Sequence, residues 1–106
     1  MTDMTLTPAI VLAATPATPD VNFDFAARRL VLKGESWPEN AAAFYRPLLQ
    51  AVESWLEEQP AGSAPLQLHV ALSYFNSSST KLLFEFFELL NGFALRGKVC
   101  ELHWYY

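Results

Sequence analysis

Leu66 to Phe75 is the stretch that most restricts the fold of this chain. Leu66, Leu68, Val70, Leu72 and Tyr74 alternate there with Gln67, His69, Ala71, Ser73 and Phe75. A period of two sends successive side chains to opposite sides of a strand, and the unequal faces predict that only one is firmly buried. That face needs an apolar cover, and the flanking segments are patterned to supply it. Between Ala41 and Gln59, Phe44, Leu48, Val52 and Trp55 recur at helical spacing beside Tyr45, Leu49 and Leu56, with Arg46, Gln50, Glu53 and Glu57 opposite. This is a helix lying on a core, with Asn40 placed to cap it. Pro47 interrupts the pattern, at about 3 kcal/mol for an interior position, and predicts a kink or a late start. A second helix is expected from about Ser78 to Arg96, ended by Gly97, with Leu82, Leu83, Phe86, Phe87, Leu90, Phe93 and Ala94 as its core face.

Shorter β-prone pieces complete the domain. Phe23-Asp24-Phe25 and Leu30-Val31-Leu32 flank Ala26-Ala27-Arg28-Arg29, which predicts a small hairpin closed by Gly34 and then a loop to Asn40. Lys98 to Tyr106 reads as a last strand with Cys100, Leu102, Trp104 and Tyr106 on one face. The order strand, strand, helix, strand, helix, strand implies parallel pairing through right-handed crossovers. The expected fold is a two-layer α/β domain over residues 21–106, with a mostly parallel sheet, an N-terminal hairpin and helices mainly on one face. Residues 1–20 are expected to form an extended or mobile arm. Ile10 to Ala14 is apolar enough for the centre of a signal peptide, but no Lys or Arg precedes Arg28, and Pro8, Pro16 and Pro19 break the run. It is also far too short to span a membrane, so a cytoplasmic location and no membrane partner are expected.

Composition narrows the function. At 106 residues and 52% hydrophobic, the chain supports one core and is too apolar for disorder. Lys and Arg total 7 against 11 Asp and Glu, which argues against the clustered positive charge that grips nucleic acid. The single cysteine, Cys100, permits neither an internal disulfide nor an all-thiolate zinc site. His69, Cys100 and His103 match no common ligand spacing, so no metal is expected. A nucleophile elbow and a glycine-rich phosphate loop are both missing, and no acid–base pair can be placed. The chain is therefore expected to be neither an enzyme nor a cofactor carrier.

The informative chemistry lies at the handover from strand to second helix. Tyr74-Phe75-Asn76 leads into Ser77-Ser78-Ser79-Thr80-Lys81, four hydroxyls in succession. Helix capping accounts for one of them. No acidic residue completes a capping box, and Lys81 stands in the opening turns instead, leaving the positive helix end open to an anion. A phosphate on one of these serines would bring about -1.5 to -2 charges to that end. Phe84 and Leu95 lie along one line outside the core face; they pack at the sheet edge or form a docking stripe beside the serines. Trp37 in its polar loop either staples the loop or anchors an interface.

Three segments together resemble the SiaC family of bacterial regulatory phosphoproteins. They are Gly34-Glu35-Ser36-Trp37-Pro38-Glu39-Asn40, the run Tyr74 to Lys81, and Arg96-Gly97-Lys98 followed by His103-Trp104-Tyr105. The resemblance spans about Thr18 to Tyr106 and implies a STAS-like fold, that of anti-sigma-factor antagonists. It further implies partner switching in signal transduction: a Ser/Thr protein kinase phosphorylates one residue at the helix start and a metal-dependent phosphatase removes the phosphate. The unphosphorylated form then binds and activates a diguanylate cyclase, which makes the biofilm signal cyclic di-GMP. Carried over by position, the phosphoacceptor is Ser77, with Ser78 as second choice because Asn76 replaces the acidic residue common before the acceptor. The partner surface implied by the resemblance comprises Trp37, Glu39, Asn40, Asn76, Ser78, Ser79, Lys81 and Phe84. Relatives generally continue into another helix after the last strand; a chain without it leaves apolar surface exposed or paired in a homodimer. The alternatives are an anti-sigma-factor antagonist or a dimeric scaffold that is never phosphorylated.

Overall fold

The computed structural model describes residues 9–105. Its elements are β1 (Ile10–Leu12), β2 (Asp20–Asp24), β3 (Arg29–Ser36), α1 (Ala41–Glu58), β4 (Leu66–Phe75), α2 (Ser77–Leu95) and β5 (Cys100–Trp104). The strands form one sheet in the order β1-β2-β3-β4-β5. The pairings β1–β2 and β2–β3 are antiparallel, and β3–β4 and β4–β5 parallel. The sheet is thus evenly mixed, not mostly parallel. The difference arises at the N-terminal end, where Ile10–Leu12 of the expected arm pair with Val21–Phe23 and add an antiparallel edge strand.

The β2–β3 hairpin is where expected but is closed differently. Arg28 takes a left-handed backbone (φ 57°) and its N–H bonds Phe25 O at 3.1 Å, while Asp24 Oδ1 accepts the Ala27 N–H. Gly34 does not close the hairpin. It lies inside β3 at φ 116°, a conformation that side-chain-bearing residues rarely adopt, at an irregularity in the β3–β4 register. β3 therefore continues to Ser36 and takes in the start of the expected loop.

That irregularity also corrects the reading of β4. Gly34 opposes Leu72 but Glu35 opposes Tyr74, so Ser73 has no opposite number and the alternation slips by one. Leu66, Leu68, Val70 and Leu72 are buried as expected, but Tyr74 turns out to solvent and Phe75 joins the margin of the core, edge-on to Trp104.

Both helices contribute to a single core with one face of the sheet. Phe23 packs edge-on against Phe86 of α2, and Phe25 lies at a tilt against Trp55 of α1. Val21 opposes Leu32, Phe23 opposes Leu30, and Leu30 opposes Leu68, all buried. Cys100, Leu102 and Trp104 share this face, opposite Leu66, Leu68 and Val70; Tyr106 lies outside the described residues. Pro47 does not delay α1, which begins at Ala41 and runs through it. No described helix is long and apolar enough to cross a membrane.

Candidate functional site

The parallel pairing of β3 with β4 sets the site. Ser36 opposes Phe75 at the carboxyl ends of the two strands, so Trp37 and Asn76 leave the sheet as neighbours. The Asn76 N–H bonds Ser36 O at 3.0 Å, which fixes the start of α2 to the end of β3.

Asn76, not a serine, caps α2: its Oδ1 accepts the Ser79 N–H at 2.9 Å. The hydroxyl run then divides in two. Ser79 is buried, with none of its surface exposed. Its hydroxyl donates to Ser36 O at 3.0 Å and accepts from Ser36 Oγ at 2.8 Å. Because the Ser36 proton is spent on Ser79, the 2.5 Å contact between Ser36 Oγ and Tyr45 OH is donated by Tyr45. Burial accordingly pushes the Tyr45 phenol above its ordinary pKa, with the Ser36 and Ser79 bonds opposing. The chain Tyr45–Ser36–Ser79 joins α1, β3 and α2 through hydroxyls alone. Thr80 is also occupied, its Oγ1 donating to Asn76 O at 3.1 Å.

Ser77 and Ser78 are different. Both are exposed, and neither hydroxyl has a protein partner among the described residues. They occupy the first two positions of α2, where backbone N–H groups point out of the helix without intrahelical acceptors. No acidic residue stands in that first turn, and Glu85 further along is held by Arg46 of α1 at 3.1 Å. Ser77, exposed Lys81 and Phe84 follow one another at i, i+4 and i+7 on one outward stripe, and Phe84 is 60% exposed.

Across the strand ends, Trp37 is 42% exposed, its indole N–H held by Glu35 at 3.0 Å and its backbone N–H by Ala17 O. Glu39 is exposed, and Asn40 caps α1 through the Ala43 N–H at 3.1 Å. The fold therefore brings Trp37, Asn76, Ser77 and Ser78 to one end of the sheet, with Lys81 and Phe84 continuing along α2. Ser79 is the exception among the expected surface residues: it bolts the site together from inside. A signal for this lay in the sequence, because Ser79 shares the helical face of Leu82, Leu83, Phe86, Leu90 and Phe93.

The histidines form a second cluster, away from the helices. His69 opposes His103 in the β4–β5 register and their rings stack at 4.5 Å, with Tyr105 OH 2.7 Å from His69 Nδ1. Burial and the nearby Arg29 and His103 hold the His69 pKa below its usual value. Cys100 faces the opposite side of the sheet, so these three side chains do not converge.

A mixed sheet backed by two helices, presenting unengaged hydroxyls and an aromatic side chain at one end, defines a small α/β domain. Comparison with known proteins gives that class a family. Residues 12–106 match the family model described as SiaC family regulatory phosphoprotein, and this chain belongs to that family. It is 33% identical over 95 residues to an uncharacterized protein of Pseudomonas aeruginosa (strain UCBPP-PA14), covering 90% of this chain and 73% of that protein. Among solved structures, SiaC of Pseudomonas aeruginosa superposes with a TM-score of 0.87 at 30% identity, over 93% of this chain and 79% of its own. A structure of the diguanylate cyclase SiaD in complex with its activator SiaC, also from Pseudomonas aeruginosa, gives a TM-score of 0.83 at 32% identity over 92% of this chain and 77% of that one.

Proposed function

We propose that this chain is a non-catalytic, cytoplasmic partner-switching regulator with a STAS-like fold, whose unphosphorylated form binds and activates a diguanylate cyclase. A Ser/Thr protein kinase phosphorylates Ser77, with Ser78 the second choice, and a metal-dependent phosphatase restores the hydroxyl. The reading rests on one observation: Ser77 and Ser78 are exposed and unengaged at the positive end of a helix whose cap is already supplied by Asn76. The solved complex of the relative SiaC with SiaD favours a diguanylate cyclase over an anti-sigma factor as the target.

The physical gate is electrostatic. A phosphate on Ser77 carries about -1.5 to -2 charges and meets free helix-end amides, so the isolated protein accommodates it. A partner seated over Trp37, Glu39, Asn40, Asn76, Ser78, Lys81 and Phe84 would have to bury that charge against its own surface, which costs far more than the docked contacts return.

The test is cyclic di-GMP production by the cognate cyclase titrated with the chain. Wild type activates, and kinase with ATP silences it. Ser77→Ala stays active in the presence of kinase and ATP. Ser77→Asp requires at least about tenfold more protein, equivalent to about 1.4 kcal/mol of lost binding. Equal activation by Ser77→Asp and wild type, or silencing of the Ser77→Ala/Ser78→Ala double variant by the kinase, would refute the gate.

A further inference from the structure

We propose that His69 and His103 form a proton-sensitive clasp, which holds β5 on β4 while His69 is neutral and loosens β5 as the pH falls. His69 is only 7% exposed, yet it points away from the core that Leu68 and Val70 enter on either side of it. Both of its ring nitrogens are engaged. Nε2 lies 3.0 Å from Gln67 Oε1, which can only accept, so Nε2 carries the ring proton and Nδ1 accepts from Tyr105 OH at 2.7 Å. The His103 ring stacks on it at 4.5 Å and within 9° of parallel.

This arrangement suits one proton on His69 and resists a second. An added proton on Nδ1 would face the Tyr105 hydroxyl proton until that hydroxyl turned away. It would also set a cation against a stacked ring that can itself become cationic, directly opposite in the strand register. The surrounding charges add to the cost. β3 places Arg29 opposite Gln67 and Lys33 opposite Ala71, so a cation flanks His69 diagonally on either side. Their opposites on β2, Asp24 and Asp20, lie one strand further off. From β5 the facing carboxylate is Glu101, which is already paired with His103 at 3.3 Å. Burial first, then Arg29 and His103, hold the His69 pKa low, with Glu101 opposing.

β5 is the element that acid would dislodge. His103 lies in β5 and Tyr105 follows it directly, its N–H bonding Val70 O at 2.8 Å. Detaching β5 therefore takes the stacked ring and the hydroxyl donor from His69 in one step and lets water in. The opened imidazole titrates near its ordinary value of about 6.5, so it takes up a proton that the closed one refuses. Closure of β5 is thus at full strength above about pH 6.5. It weakens below that, by at most about tenfold per pH unit for one proton. The clasp sits between β4 and β5, so it operates whatever covers the outer side of β5. Its effect reaches the serine end of the sheet, because Trp104 of β5 packs edge-on to Phe87 and to Phe75, the residue before the Asn76 cap.

Hydrogen exchange of the whole chain, followed by NMR at pH 7.5 and 5.5, tests this with neither cyclase nor kinase present, so its outcome is independent of the phosphorylation gate. Protection is taken relative to the intrinsic exchange rate at each pH. At the Leu66 and Tyr105 amides, which bond across β4–β5, it should fall several-fold at pH 5.5, up to about tenfold. The amides of the β2–β3 ladder should keep theirs. His69→Phe leaves an aromatic ring against His103 without a titrating nitrogen and should abolish the fall; His69→Gln serves if that variant does not fold. No fall in wild type, an equal fall in both ladders, or an undiminished fall in the folded His69 variant would each overturn the proposal.

Discussion

The two helices begin alike and then diverge. Each follows a strand, each is capped by an asparagine side chain accepting from the third helical residue, and neither has an acid in its first turn. After the cap, α1 continues Ala41-Ala42-Ala43, whereas α2 continues Ser77-Ser78-Ser79. The alanines show that a helix in this domain needs no hydroxyl in its first turn to start. The serines of α2 therefore do something else, and the structure divides the labour: Ser79 faces inward to Ser36 and Tyr45, while Ser77 and Ser78 face solvent.

Substitutions can break that comparison in order of effect. Ser79→Ala should cost about 2 kcal/mol, because it strands the buried Ser36 hydroxyl without an acceptor. In a domain of this size that lowers the melting temperature by about 8–16 °C. Ala43→Ser, the matched position of α1, is exposed and should stay within about 0.5 kcal/mol. Tyr45→Phe should cost about 1 kcal/mol at neutral pH by removing one donor from the same chain of hydroxyls. It also has a pH signature. The buried phenol keeps its proton to higher pH than the unfolded one, which titrates near 10. Wild-type stability therefore falls as pH rises past about 10, and Tyr45→Phe should lose that component of the decline. The smallest effects belong to the outer serines: Ser77→Ala and Ser78→Ala should each melt within about 0.5 kcal/mol of wild type, against about 1 kcal/mol for Asn76→Ala.

The sequence carried the periodic elements well and the non-periodic ones poorly. β4 has the expected bounds, and α1 and α2 begin and end within a residue of expectation, because ten or more residues of consistent period leave little choice. β1 escaped detection because three apolar residues between prolines have no period to read. The exchange of Tyr74 for Phe75 was hidden because an irregularity in register is a property of two strands, and neither strand's pattern contains it. Arg28 at a positive φ was equally invisible; its side chain lies over Trp55 at 5.0 Å and bonds Gln59 and Ala64, contacts between segments distant in the chain. At the site, the family resemblance brought Ser77, Ser78, Lys81, Phe84 and Trp37 forward. It placed Ser79 on the wrong side of the helix, although the spacing to Leu82, Leu83 and Phe86 marks that position as inward.

Phosphosite mapping tests the division of the hydroxyl run most directly. The chain is incubated with its cognate kinase and ATP, and the modified peptide is sequenced by mass spectrometry. One phosphate on Ser77, or on Ser78, is the result expected of two exposed hydroxyls beside two occupied ones. Incorporation confined to Ser79 or to a site outside residues 77–80, or no incorporation at all, would contradict it.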